Sequence, residues 1–374
     1  MGISSTKRPI KVLFILPTLH AGGAERVLIT LMNFLNREQF EPVFVAINNE
    51  GPLRNLISKD IPFHSLDGKK VSLSFLNLYK KLKEIRPDIV VSTMAHVNFM
   101  ALLIKPFFKK TKFVVREAVT PSYFSQKYLF KPFIIRMAYR VLYPYADLVI
   151  SPAQMIIDEF KKDLGLACNN HALLYNPVNT ANIWLQKDEK DSLSELRKSA
   201  VHFVASGRLH PQKGFDRLIQ SLPQLRLEYD WKISILGEGE ERNTLENLIN
   251  DLGLSKHVHL LGLQDTPWPF YAYADCFLLP SRFEGLPNVV LESLACGTPV
   301  IAMRSAGGIM EIAEASSPGA VTVVDTMADF IEAMESVQPC PSETFRDSLL
   351  PRAFECPEIC NKFEGLLKDL VHHS

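Results

Sequence analysis

The sequence predicts an α/β protein of two domains, each a parallel sheet covered by helices. Three observations carry this reading. Short apolar runs of strand length alternate with amphipathic runs of helix length along most of the chain, the pattern of successive βαβ units. The alternation pauses at Asn176-Pro-Val-Asn179 and a polar, charged stretch over 186–199, then restarts near Val201, so the composition shift marks a linker. The chain has 374 residues, 47% of them hydrophobic, which is enough for two cores.

Strand candidates in the first half are 11–16, 42–47, 88–92, 112–116, 147–151 and 172–175. In the second half they are 201–206, 231–236, 257–261, 276–279, 299–302 and 320–324. Between them they outline two Rossmann-like domains facing each other across a cleft. The tail, 354–370, has Ile359, Phe363, Leu366, Leu367 and Leu370 on one side of a helix. There is no internal repeat and no low-complexity tract. No apolar run reaches the roughly 18 residues of a membrane span. Basic residues precede the apolar run 12–16 as in a signal peptide, but that run is too short for one and reads as the first strand. The six cysteines are Cys168, Cys276, Cys296, Cys340, Cys356 and Cys360. They complete no zinc-ligand set and read as reduced structural thiols of a cytoplasmic protein.

The net charge is zero but unevenly spread. Residues 1–175 hold 24 Lys and Arg against 13 Asp and Glu, and the remainder holds 17 against 28. Most of the basic excess lies over 69–140, which suggests an anionic partner for the first half. No recognised nucleic-acid module accompanies the charge, so nucleic acid is not expected. The segment 123–145, rich in Tyr, Phe, Lys and Arg, suits either an anionic membrane surface or an amphipathic helix packed on the first sheet. Phe107-Phe108-Lys109-Lys110 is a second aromatic-basic spot.

The most informative segment is Ser281-Arg-Phe-Glu-Gly-Leu-Pro-Asn-Val-Val-Leu-Glu292. It follows the apolar run 276–279, and Gly297 and Pro299 end the helix after it. Pro287 suits a first helical turn. Glu284 falls on the loop at the C-terminal edge of a sheet, and Glu292 about one turn into the helix. Ligands of open α/β sheets bind at that edge. A helix start that attracts phosphate, beside carboxylates that accept hydroxyls, describes a nucleotide-sugar site. On spacing alone, E-x7-E is a loose pattern and the solvated pair is the favoured reading of the two glutamates. Ser206-Gly-Arg-Leu-His-Pro-Gln-Lys-Gly214 follows the first strand of the second half. Arg208 offers a planar fork and Lys213 a point charge, both suited to a diphosphate, and Gly207 permits close backbone approach. His20-Ala-Gly-Gly-Ala-Glu-Arg26 opens a helix after the first strand, with Gly22 and Gly23 able to pass close to a phosphate or sugar.

The stretch PSRFEGLPNVVLESLACGTPVIA, residues 280–302, resembles the signature of retaining glycosyltransferases of the GT-B fold, the family 4, group 1 type. The resemblance implies that Glu284 contacts the donor sugar and Glu292 the nucleotide ribose, with Gly285, Leu286 and Asn288 beside them. Gly207, Arg208 and Lys213 match the family's G-R-L-x-x-x-K-G element, whose cations neutralise the departing diphosphate. Gly22 and Gly23 match its G-G-A-E-R string at the interdomain cleft. His259-Leu-Leu-Gly262 resembles the segment that meets the nucleobase, which brings in Leu261, and Gly307 and Gly308 resemble a G-G loop before a helix. Many relatives carry a His where His96 stands. Arg116 and Glu117 fall where relatives have Ser-Glu-Arg-Asn, and only Glu117 matches; it either orients an acceptor hydroxyl or makes a structural salt bridge. The last helix is expected to cross back to the N-terminal domain.

The expected activity is therefore retaining, metal-independent transfer of a hexose or N-acetylhexosamine from a nucleotide-sugar, a UDP-sugar by family habit. The acceptor is a glycan or lipid-linked glycan of cell-surface polysaccharide, lipopolysaccharide or glycoprotein assembly. Residues 1–176 with 352–374 would bind the acceptor and 177–351 the donor. No Asp-x-Asp motif appears, so neither metal nor other cofactor is expected. The expected location is the cytoplasm, with peripheral contact at the cytoplasmic face of a membrane. Two alternatives stay open, a nucleotide-sugar 2-epimerase of the same fold and a non-catalytic sugar-nucleotide-binding protein.

Overall fold

The computed structural model describes residues 8–20, 22–68, 71–122, 132–166, 170–186, 200–340 and 346–372. Residues 187–199 of the charged stretch, 123–131 of the aromatic-basic segment and Cys168 lie outside them. The chain divides into two compact units, Met1–Pro177 with Cys356–Ser374, and Val178–Glu355.

The first unit is built on β1 (Ile10–Leu16), β2 (Phe40–Ala46), β3 (Phe63–Ser65), β4 (Ile89–Thr93), β5 (Lys112–Arg116), β6 (Leu148–Ser151) and β7 (His171–Leu173). All neighbours are parallel, in the order β3-β2-β1-β4-β5-β6-β7. Helices α1 (Gly23–Asn33), α2 (Phe75–Ile85), α3 (Ala95–Ile104), α4 (Pro132–Leu142) and α5 (Gln154–Lys162) connect them. Alternation along β1 explains why the sheet is covered on both sides. Val12, Phe14 and Leu16 enter one core with Leu28 and Phe40, whereas Leu13 and Ile15 enter the other with Leu78, Leu102 and Phe113. The sequence reading missed β3, an edge strand of three residues that is too short to show alternation.

The second unit holds β8 (Ala200–Ser206), β9 (Asp230–Leu236), β10 (Val258–Gly262), β11 (Cys276–Leu279), β12 (Val300–Met303) and β13 (Val321–Val324) in the order β10-β9-β8-β11-β12-β13, again all parallel. Its helices are α6 (Thr180–Gln186), α7 (Phe215–Ser221), α8 (Arg242–Asp251), α9 (Trp268–Tyr273), α10 (Asn288–Ala295), α11 (Ile309–Ala315) and α12 (Met327–Glu335). The final helix, α13 (Cys356–His372), returns to the first unit. There Ile359, Phe363 and Leu367 are buried with Phe14 and Phe40, and Glu364 Oε1 accepts from the Asn36 N–H at 2.6 Å.

Each sheet has one point where the winding reverses, between β1 and β4 in the first unit and between β8 and β11 in the second. At such a point two adjacent C-terminal strand ends send their loops to opposite faces of the sheet and leave a crevice for ligand. Among the described residues no helix is long and apolar enough to cross a membrane. Described cysteines are free thiols. Burial pushes the Cys276 thiol up to about 12, and Cys356 and Cys360 face each other on successive turns of α13 with sulfurs 3.5 Å apart.

Candidate functional site

At the switch point of the second unit, the loop after β8 carries Gly207, Arg208 and Lys213, and the loop after β11 carries Glu284. Lys213 closes a short 3-10 turn, Pro211–Lys213, capped by His210 Nδ1, which accepts from the Gln212 N–H. Gly214 follows with φ +69, and a Cβ there would lie 2.0 Å from the Pro280 carbonyl oxygen. Only glycine allows both the left-handed turn and that approach. The turn directs Lys213 Nζ to 2.6 Å from Glu284 Oε1, and both side chains are largely buried, 17% and 10% exposed. Ser281 Oγ donates to the same carboxylate oxygen at 2.8 Å.

The two loops are laced together by backbone and side chains. Arg282 N–H donates to the Gln212 carbonyl at 2.8 Å, and Gln212 Nε2 to the Phe283 carbonyl at 3.1 Å. Arg282 and Asp216 form a fork of two 2.7 Å bonds. Arg217 donates to the carbonyls of Pro280 and Ser281 at 2.6–2.8 Å. The Glu284 loop is thereby fixed to the start of α7. Gly307, with φ +64, lets the next loop pass beneath it, since a Cβ there would sit 2.1 Å from the Glu284 carbonyl oxygen. Gly308 N–H donates to the Gly285 carbonyl at 2.7 Å. Arg208 is exposed on the rim of this crevice. Gly285 and Leu286 are buried, Pro287 is the N-cap of α10 and not a residue of its first turn, Asn288 begins the helix, and Glu292 is half-buried on its second turn. Leu261 is 38% exposed on β10.

In the first unit, the switch point is flanked by the start of α1 after β1, with Gly22 and Gly23, and by the first turn of α3 after β4, with His96. Gly22 is the N-cap of α1; a Cβ there would meet Glu25 Oε2 at 2.1 Å, because the buried Glu25 carboxylate turns back to the helix start. Met94, just before α3, has φ +72, an uncommon value for a non-glycine residue, and His96 follows in the first turn, half-exposed. One strand further, Arg116 ends β5 and Glu117 follows it, 2% and 1% exposed. Asn98 Nδ2 donates to Glu117 Oε1 at 3.0 Å, and the Tyr139 and Tyr143 hydroxyls donate to its two oxygens. Burial raises the Glu117 carboxyl to about 8 despite these bonds. Arg116 donates through Nη2 to Asn176 Oδ1, and burial lowers it to about 10.

The model of the glycosyl transferases group 1 matches residues 186–347, and that of glycosyltransferase family 4 matches residues 21–182. A Campylobacter jejuni protein, N-acetylgalactosamine-N,N'-diacetylbacillosaminyl-diphospho-undecaprenol 4-alpha-N-acetylgalactosaminyltransferase, is 30% identical over 334 residues, which cover 86% of this chain and 88% of the relative. The chain belongs to the family 4, group 1 glycosyltransferases. A second C. jejuni relative of this glycosyltransferase is an alpha-1,4-N-acetyl-D-galactosaminyltransferase, also named for a diphospho-undecaprenol-linked acceptor; it is 28% identical over 371 residues, 95% of each chain. Two solved structures share the fold. Anabaena HepE in complex with UDP has a TM-score of 0.73 and 21% identity, over 96% of this chain and 100% of its own. Sucrose-phosphate synthase from Thermosynechococcus elongatus has a TM-score of 0.77 and 15% identity, over 98% and 100%.

Within the second unit of this glycosyltransferase, the structure joins Lys213 directly to Glu284 and sets Gly207, Arg208, Gly285 and Leu286 on the same two loops. Glu292 stands behind them on α10, and Leu261 lies at the end of the sheet's edge strand. Within the first unit, Gly22, Gly23 and His96 flank the switch point, whereas Arg116 and Glu117 sit deeper at the next strand end. No ion pair joins Arg116 to Glu117 among the described residues; neutral groups hold the carboxyl instead. The sequence reading missed Gln212, Asp216, Arg217, Ser281 and Arg282 as loop anchors, and Asn98, Tyr139, Tyr143 and Asn176 as partners of the pair at the end of β5. Ser281, Arg282 and Gln212 lay inside quoted motifs, and Asn176, Tyr139 and Tyr143 inside segments singled out for other reasons. The others join strands far apart in sequence and leave no local signal.

Proposed function

We propose that this glycosyltransferase moves a hexose or N-acetylhexosamine, with retention of configuration, from a UDP-sugar to a lipid-linked glycan acceptor. The observation that carries this is the 2.6 Å contact between Lys213 and Glu284. A cation for a phosphate and an acceptor for sugar hydroxyls lie side by side, and the anomeric carbon of a nucleotide-sugar is one oxygen away from its phosphate. In this reading Lys213 and Arg208 neutralise the charge that grows on the leaving diphosphate, Glu284 orients the sugar and Glu292 takes the ribose. The acceptor hydroxyl bonds to the anomeric carbon as the sugar–phosphate bond breaks, and its proton passes to the leaving phosphate. The two cations supply the positive charge, and the reaction is proposed to need no metal. Support for UDP comes from HepE in complex with it, and for a lipid-linked acceptor from the two C. jejuni relatives. His96, Gly22 and Gly23 are proposed as the first unit's substrate-binding residues.

A peripheral place on an anionic membrane belongs to the same proposal. On α4, Phe133, Ile134 and Val141 are each more than half exposed, and Leu103 and Phe107 are exposed at the end of the neighbouring α3, beside exposed Lys109 and Lys110. Exposed apolar side chains with lysines nearby suit a lipid surface of negative charge.

A thermal-shift panel of nucleotide-sugars tests the donor: a UDP-sugar should raise the melting temperature, since a ligand that binds only the folded state stabilises it. No shift from any UDP-sugar overturns the UDP assignment. Products formed with donor alone would point to the epimerase instead, and the anomeric configuration of the glycan product tests retention. Co-sedimentation with phosphatidylglycerol vesicles should exceed that with phosphatidylcholine and fall with salt. Equal binding to both counts against the membrane contact.

A further inference from the structure

Arg116 is the buried charge that the site described so far does not use. Its guanidinium carries five N–H bonds. One nitrogen, Nη2, donates to Asn176 Oδ1, while Nε and Nη1 are shut from solvent with no hydrogen-bond partner. Among the described residues no carboxylate pairs with it. Glu117 is next in the chain, but Asn98, Tyr139 and Tyr143 occupy its oxygens, and with its carboxyl raised to about 8 it is mostly neutral at pH 7. A buried cation with one neutral partner is costly unless an anion completes it. The backbone here is anchored, because Asn98 Nδ2 at 3.0 Å and Thr93 Oγ1 at 3.3 Å both donate to the Arg116 carbonyl. Arg116 ends β5, and Asn176 lies just past β7, so both stand at the C-terminal edge of the parallel sheet, where ligands of such sheets bind.

We infer that Arg116 is the receptor for a phosphate or diphosphate group carried by the acceptor, with the unpaired Nε–H and Nη1–H groups, which lie on different edges of the guanidinium, as its donors and Asn176 as the residue that holds the guanidinium in place. A planar guanidinium offers phosphate oxygens directed N–H donors on more than one edge, which a lysine cannot reproduce. The inference rests on the reading that the first unit takes the acceptor, and it names the group by which that acceptor is held. The basic excess over 69–140 brings an anion toward the same unit.

Inorganic pyrophosphate and farnesyl diphosphate are the probes, each added to the full-length protein with UDP saturating so that the diphosphate site of the second unit is filled. Both should raise the melting temperature of the native protein. R116M and R116Q should abolish this shift, and R116K should weaken binding at least fivefold. The ligand-free melting temperature of R116M should equal or exceed that of the native protein, because an uncompensated buried charge has been removed. A purely structural arginine predicts the reverse, a lower melting temperature with both shifts intact, and that result overturns the inference. Should R116M not fold, R116Q and R116K carry the comparison. A shift lost for both probes identifies the phosphate group itself. One lost for farnesyl diphosphate alone identifies a lipid-borne diphosphate. Retention of both shifts in R116Q and R116K refutes the receptor. The UDP shift of the native protein is read separately, so failure of the donor reading is not mistaken for failure here.

Discussion

Lys213 and Glu117 show how differently two charged residues can be kept. Lys213 is paired at 2.6 Å with a carboxylate that Ser281 also holds, so the pair is organised before any ligand arrives. Removing one such electrostatic donor from a reaction centre commonly costs 100-fold or more. Lys213→Ala and Glu292→Ala should each lower initial rates by about 100-fold with unchanged circular dichroism; rates near the native value in both would sink the donor assignment. Glu117, in contrast, is kept protonated by burial, with its carboxyl raised to about 8 against 4.5 in an open chain. Between those two values the unfolded chain binds fewer protons than the folded one. The contribution is thus fully present below about 4.5 and is lost as pH rises toward 8, by at most about 1.4 kcal/mol per pH unit. Glu117→Gln should flatten this part of the stability profile, measured by urea unfolding at pH 5.5 and 7.5. Equal pH slopes in both proteins would show that Glu117 is not protonated in the fold.

At the scale of elements, three loops meet at the switch point of the second unit: those after β8, β11 and β12. Their mutual approach depends on glycines where another residue would collide. Gly307 combines φ +64 with a Cβ position 2.1 Å from the Glu284 carbonyl oxygen, as Gly214 combines φ +69 with one 2.0 Å from that of Pro280. Gly307→Ala should destabilise by about 1–3 kcal/mol from backbone strain and should also displace the Glu284 loop. The expected signature is a lower melting temperature together with weaker UDP-sugar binding; an unchanged affinity would show that the loop yields without moving Glu284. The G-R-L-x-x-x-K-G and P-S-R-F-E-G strings were legible because each lies within one loop. The clamps of Arg217 on Pro280 and of Asn98 on Glu117 were not, because they join residues 63 and 19 positions apart.

At the scale of the molecule, α13 is last in the chain but belongs to the first core. Phe363 meets Phe14 with ring centroids 6.4 Å apart, and Ile359 and Leu367 are fully buried beside it. Burying each such side chain is worth about 1.5–3 kcal/mol, so a chain ending at Glu355 would open to water the part of the first core that α13 covers beside α1. That truncation should be insoluble or should lose its cooperative unfolding transition by calorimetry. A soluble, cooperatively folded product would show that α13 is dispensable to this core.

The sequence by itself determined the two parallel sheets, the place where one pattern ends and the next begins, and the family. Strand alternation, strand-to-helix turns and loop motifs are local, and each is written in a few consecutive residues. Tertiary structure alone decided which charges meet. Lys213 finds Glu284 because β8 and β11 are neighbours although 69 residues of chain lie between Ser206 and Cys276. Arg116 finds Asn176 and no carboxylate because the ends of β5 and β7 share one edge of the sheet. Burial and partnership depend on strands distant in sequence, and no local pattern records them.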